Sequence, residues 1–174
     1  MTVPIVIVGI ILLLLFVKSS STAVPAEVSD ILLTRKSIVD AAAARNSVPA
    51  KRVYAIILHE SSNVPNALGT AGERGLMQIS LPAFEDYKNA HPSGIDLGFG
   101  IRFGGLTWDD MFDPQWNVEV GTWFLGQLLQ KPSIDGDINK ATQAYNVGYT
   151  AFILDNSAGT DYLNAVLAKE SEFS

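Results

Sequence analysis

Cysteine is absent from all 174 residues, and histidine occurs only twice, at His59 and His91. Without cysteine there is neither a disulfide framework nor a thiolate metal site, so an exported domain of this kind has to be held by packing alone. Positive charge is also in deficit. Lys and Arg number 12 against 18 Asp and Glu, for a net charge of -6. A general binder of phosphate backbones is normally basic, so nucleic acid is not an expected partner. A neutral or glycan substrate is untouched by that argument. No internal repeat is visible, and the length suits one sizeable core rather than two domains.

One stretch lacks charge entirely. Val3 to Val17 reads "VPIVIVGIILLLLFV". A bilayer crossing takes about 20 apolar residues. The uncharged Ser19 to Val24 extends this run past Lys18, whose ammonium can snorkel to the interface. A retained single-span anchor in a lipid bilayer is the favoured reading, because no Lys or Arg precedes the run as a signal peptide requires. A cleaved signal is the rival, with "AVPA" at Ala23–Ala26 as a small-residue exit. Residues 1–24 are thus read as anchor and linker, and residues 25–174 as the folded domain.

Beyond the linker the chain reads as mostly helical. Ile31, Leu32, Ile38, Val39 and Ala42 recur at helical spacing, which predicts a helix over about Ala26 to Asn46. Pro49 opens a second helix that ends near Ser61. Asn63 to Gly75 is rich in turn residues and predicts turns or a small hairpin. A short helix is expected over Leu81 to Ala90, and a long glycine-rich loop over His91 to Asp109, with "GFGIRFGG" either a flexible flap on the substrate side or simply loop. Asp113 and Pro114 are an N-cap and first helical residue, followed by Trp116, Val120, Trp123, Phe124 and Leu128 as a buried stripe. "DINKATQAYNVG" predicts a helix closed by Gly148. The last helix covers "TDYLNAVLAKESEF", with Thr160 or Asp161 as its cap.

The chemistry centres on "LHESSN", where Glu60 ends the second helix. A zincin helix needs a second histidine one turn on, and that position is Asn63; no metal and no cofactor is expected. Ser61 and Ser62 lie outside any nucleophile-elbow pattern, and Ser61 is read as a helix-end residue bonding backbone or orienting Glu60. His59 is read as a half-buried helix residue. Glu60 is different, because Val53, Ala55, Ile56, Ile57 and Leu58 precede it. A carboxyl at the edge of such a core is poorly solvated, and desolvation raises its pKa into the range of a general acid. Donating a proton to a glycosidic oxygen is a common task for such a group. An exposed helix-end carboxylate without a task is the alternative.

"ESSNVPNALGTAGERGLMQIS" resembles the signature of the soluble lytic transglycosylase (SLT) domain, a goose-lysozyme-like family. Glu60-Ser61, Pro65, Ala67, Gly72 and Gly75-Leu76-Met77-Gln78-Ile79 match without a gap. Asp113, Pro114, Asn117, Gly121, Phe124 and Leu125 resemble a second family block. Ala144, Tyr145, Asn146 and Gly148 resemble a third, and "TDYLNAVL" resembles the closing helix. The match covers about Val48 to Leu167. It implies a mostly α, lysozyme-like domain with a small β-hairpin or irregular segment. It also implies cleavage of the β-1,4 bond between N-acetylmuramic acid and N-acetylglucosamine in peptidoglycan glycan strands. Glu60 would act as acid and then as base, taking a proton from the C6 hydroxyl that closes onto C1 as a 1,6-anhydro product. Tyr145 matches the family tyrosine whose hydroxyl approaches the catalytic Glu. Gln78 matches a sugar-contacting residue. Ser61, Met77 and Asn146 fall in the same blocks, with Met77 also suited to the cleft wall or core and Asn146 to bonding backbone.

Trp108 is the candidate sugar platform among the tryptophans, while Trp116 and Trp123 at helical spacing suit the core. The chain departs from the family at Gly69, where many members have Ser, at Ser80, where some have Met, and at Glu73, where many have Ala. Glu73 opens a rival chemistry. In goose-type lysozymes an acid at about this interval helps position water, which would make the chain an inverting hydrolase with carboxylates ~6.5–9.5 Å apart. Its plain alternative is a loop carboxylate paired with Arg74 or facing water. A silent peptidoglycan-binding module is a third reading. The wall substrate places the domain on the cell-wall side of the membrane. Lys18, Arg35 and Lys36 after the span point instead to the cytoplasm, a conflict that a phage virion membrane would remove.

Overall fold

The computed structural model describes residues 24–97 and 105–173. The proposed anchor Val3–Val17 and most of "GFGIRFGG" lie outside the described residues. Among the described residues no helix is long and apolar enough to cross a membrane.

Seven α-helices carry the described chain: α1 (Ala26–Arg45), α2 (Ala50–Ser61), α3 (Leu81–Ala90), α4 (Pro114–Leu129), α5 (Ile138–Val147), α6 (Tyr149–Leu154) and α7 (Thr160–Ser171). The expected hairpin reduces to two isolated antiparallel bridges, Leu68 with Arg74 and Arg74 with Ile79. No strand forms among the described residues, because Arg74 serves both bridges and the glycines around it keep the chain turning. The expected loop up to Asp109 is cut short by a 3-10 helix, Trp108–Phe112. Its start is fixed by Thr107, whose backbone N–H and hydroxyl both bond the Asp110 carboxylate. Helix α6 is additional to the expected helices. The cap of α7 is Gly159 in the left-handed region rather than Thr160 or Asp161, since the preceding turn needs that conformation.

Helix α2 is the axis of the fold. Residues Arg52 through Leu58 are all buried, so the middle of α2 is enclosed on every side while its two ends reach the surface. It packs against α1 and α7, while α1 also packs on α4, and α5 bridges α4 and α7. The stripe on α4 is only partly as expected: Val120 and Leu128 are fully in the core, whereas Trp116, Trp123 and Phe124 are half-buried against it.

One buried cation ties the scaffold together. Arg52 is 3% exposed. Its guanidinium bonds Glu170 of α7, and Asn139, Thr142 and the Ile138 carbonyl of α5. With every N–H direction used, the charge is compensated where it lies. The arrangement fixes α5 and α7 to α2, and these three helices carry Glu60, Tyr145, Asn146 and Tyr162 of the candidate site.

Candidate active site

Glu60 sits in the last turn of α2. The chain leaves that helix through two consecutive left-handed residues, Ser62 (φ 50) and Asn63 (φ 63). Asn63 is buried, and its amide donates to Asp30 at 2.6 Å and Thr34 at 3.1 Å while accepting from Arg35 at 3.2 Å. Helix α1 therefore holds the turn that follows Glu60. Ser61 bonds the carbonyls of Ile57 (3.1 Å) and Leu76 (2.8 Å). It stitches α2 to the next loop and faces away from the cleft.

That loop, Ala67 to Ile79, is the opposite wall. Asn117 of α4, fully buried, splints it. The Asn117 side-chain oxygen accepts from Met77 N–H at 2.7 Å, and its amide donates to the carbonyls of Arg74 (2.8 Å) and Met111 (2.7 Å). Gly75 (φ 74) leaves room for the asparagine, since a Cβ there would lie 2.2 Å from the Met111 carbonyl oxygen. Gln78 also takes a positive φ of 47. Its amide N–H groups bond the carbonyls of Gly75 (2.9 Å) and Ala67 (3.3 Å), which turns its oxygen toward the cleft.

The cleft between these walls has a volume of about 510 Å³ and is lined by Glu60, Gly69, Glu73, Gln78, Asp86, Phe124, Tyr145 and Asn146, among others. Phe124, Val147 and Gly148 also line a second cavity of about 980 Å³ that extends along α4 and α6 past Trp123 and Tyr149. The two form a groove suited to a polymer. Of the expected site residues, Glu60, Glu73, Gln78, Tyr145 and Asn146 come together here. Asn146 is exposed on the cleft, not tied into backbone as expected. Ser61, Met77 and Trp108 do not line it. Met77 is fully buried. Trp108 packs on Phe84 with ring centroids 5.3 Å apart, beneath the Arg74 guanidinium at 4.7 Å.

The tyrosine bonded to Glu60 is not Tyr145. Tyr162 of α7 donates its hydroxyl to Glu60 Oε1 at 2.6 Å, while Tyr145 donates to the Met77 carbonyl at 2.8 Å. The closing-helix motif was the sequence signal for Tyr162. Burial pushes the Glu60 carboxyl up to about 7; the Tyr162 hydrogen bond opposes this shift and the charge of Glu73 adds to it. Burial, and then the charge of Glu60, hold the phenol of Tyr145 well above its usual range. The same causes raise Tyr162. Both phenols are thus neutral donors at physiological pH.

His59 is exposed, not half-buried, with its ring edge-on to Tyr162 at 4.9 Å. Arg74 pairs with Asp109 at 2.7 Å, not with Glu73, whose carboxylate accepts from Ala71 N–H at 3.1 Å. Among the described residues no group of three or more His, Cys, Asp or Glu could hold a metal.

Chemically the site is a carboxyl at a cleft wall that keeps part of its population protonated near neutral pH, fixed by a neutral phenol. It can donate a proton to a leaving oxygen and accept one afterwards. The lytic transglycosylase Slt of Pseudomonas aeruginosa, solved as an inactive Glu→Gln mutant, shares the fold with a TM-score of 0.64 at 18% identity. That match covers 79% of this chain and 23% of the other, so this chain spans about a quarter of that protein's length. The family model described as "Transglycosylase SLT domain" matches residues 37–161, and the chain belongs to that family.

Proposed function

We propose that the chain is a peptidoglycan lytic transglycosylase that cleaves the β-1,4 bond between N-acetylmuramic acid and N-acetylglucosamine, with Glu60 as acid and then base. The observation that carries this reading is Glu60 itself: a carboxyl raised to about 7 by burial, lining the cleft and fixed by Tyr162. Such a group is shared between its acid and carboxylate forms near neutral pH, so it can give up a proton and take one back.

In the first step the Glu60 proton goes to the glycosidic oxygen as the C1–O bond breaks. In the second, the C6 oxygen of the muramoyl sugar bonds to C1 and its proton passes to Glu60. The acid is regenerated, and no water is consumed. One carboxyl suffices because the substrate supplies the nucleophile. Tyr162 orients Glu60. Tyr145 acts through the Met77 carbonyl as a brace of the cleft wall, and Gln78 presents its oxygen to sugar. Family membership and the shared fold with a lytic transglycosylase support the reading.

Glu73 supports a second reading, hydrolysis, because it lines the same cleft and its charge acts on Glu60. A water activated by Glu73 would attack C1 in place of the C6 hydroxyl. Zymography of wild type beside Glu60→Gln tests both: clearing by wild type and none by the variant is expected. A cleared zone from Glu60→Gln equal to that of wild type would end either reading. No clearing by either protein favours a silent binding module. For a wall substrate, the setting we propose is a membrane-tethered enzyme on the cell-wall side, or one carried in a virion membrane.

A further inference from the structure

Gly69 and Glu73 both depart from the common family pattern, and the structure shows that the two departures depend on each other. A Cβ built on Gly69 would lie 2.3 Å from Glu73 Oε2 and 2.7 Å from Gln78 Oε1. Non-bonded heavy atoms settle at about 3.5–4.0 Å. The two oxygens therefore fill the space that any side chain at 69 would need. Both are held there. The carbonyl of Glu73 accepts from Gly69 N–H at 2.8 Å, folding residue 73 back over residue 69. The Glu73 carboxylate is fixed by Ala71 N–H, and the Gln78 amide by two carbonyls.

What results is a point in the cleft that presents only acceptors. A carboxylate accepts and does not donate, and the donors of Gln78 are already spent. The nearest cation in sequence, Arg74, is taken up by Asp109 and Trp108. The described lining of the cleft contains no Lys, Arg or His. A ligand completing this site must bring N–H or O–H groups, and a charged donor gains most from a carboxylate.

We propose that Gly69, Glu73 and Gln78 form an acceptor subsite for the nitrogen substituent of a glycan sugar: the N–H of an acetamido group, or the ammonium of its de-N-acetylated form. Glu73 takes the place of a side chain at 69. The proposal rests on the glycan-cleaving reading and adds a substrate preference to it. Strands carrying free amino sugars are accepted rather than refused.

The test uses the full chain carrying Glu60→Gln, so that binding is read without turnover. Calorimetry compares chitotetraose with its de-N-acetylated form. Adding Glu73→Ala should weaken chitotetraose by about fivefold, the loss of one hydrogen bond, and weaken the amino form more. Glu73→Gln keeps an acceptor oxygen, so it should retain chitotetraose and lose the extra affinity for the amino form. Gly69→Ala should reproduce Glu73→Ala by evicting the carboxylate, and the two together should cost no more than either alone. Unchanged binding in Glu73→Ala, equal losses on both sugars, or additive losses in the pair would overturn the subsite. If Gly69→Ala fails to fold, the two Glu73 variants decide the matter. If the Glu60→Gln chain binds neither sugar, the glycan reading falls together with the subsite; if it binds both and the variants match it, only the subsite falls.

Discussion

Glu60 sets the pH behaviour of the protein. With its carboxyl raised to about 7, the fraction carrying a proton falls as pH rises through that value. In the transglycosylase reaction the same group serves as acid and base in turn, and only its starting state limits entry. Muralytic kcat/KM should therefore be flat below pH 7 and fall with a single alkaline limb centred there. A second, acidic limb would mark another carboxylate required in its charged form, which is the signature of Glu73 activating water. The Tyr162 hydrogen bond lowers the Glu60 pKa, so Tyr162→Phe should shift the limb upward while reducing kcat through lost orientation. A limb that does not move in that variant would contradict the assigned partner.

Glu60 also costs stability. Its pKa is raised from 4.5 to about 7, so the folded state favours the protonated form. The contribution this makes is fully present below 4.5 and is lost as pH rises through 7. Relative to wild type, Glu60→Gln should gain stability with rising pH, levelling off above pH 7 at about 3 kcal/mol. Denaturant titrations at several pH values check this. A constant difference across the range would mean that burial is not the cause of the shift.

Among the elements, the loop Ala67 to Ile79 depends on α4 through Asn117. Replacing Asn117 by Ala strips partners from Met77 N–H and from the carbonyls of Arg74 and Met111. Unsatisfied buried groups cost roughly 1–3 kcal/mol each, so Asn117→Ala should lose about 3 kcal/mol in urea unfolding and reduce activity through Gln78. A neutral result would show that the loop holds its shape unaided. The long helices are legible in the sequence to within about two residues, because periodicity and caps such as Asp113-Pro114 are local signals. Helix α6 is not legible there, because its six residues carry too little periodicity and its Ile153 and Leu154 remain exposed. The turn of the chain at Gly159 likewise replaced the expected cap of α7.

The assembled site shows where local reading stops. Glu60 and Gln78 were legible from motif spacing. The pairing of Tyr162 with Glu60 joins residues 102 apart in sequence and depends on how α7 lies along α2, which no local pattern encodes. Two tyrosines were available in family blocks, and only packing decides which phenol reaches the acid. The same holds for Trp108, whose loop position suggested a sugar platform while Phe84 and Arg74 take up its faces. Gly69 and Glu73 were each visible as departures, but their mutual dependence required the close approach of their atoms.

Lyase and hydrolase differ by one water, and that difference is the most direct measurement. Purified peptidoglycan is digested by wild type in isotope-labelled water, with Glu60→Gln as the blank, and the soluble muropeptides are weighed by mass spectrometry. If the C6 hydroxyl is the nucleophile, the products are 1,6-anhydro sugars, lighter than reducing-end products by one water and free of label. Labelled reducing-end products made by wild type and absent from the blank would contradict this and assign the reaction to water.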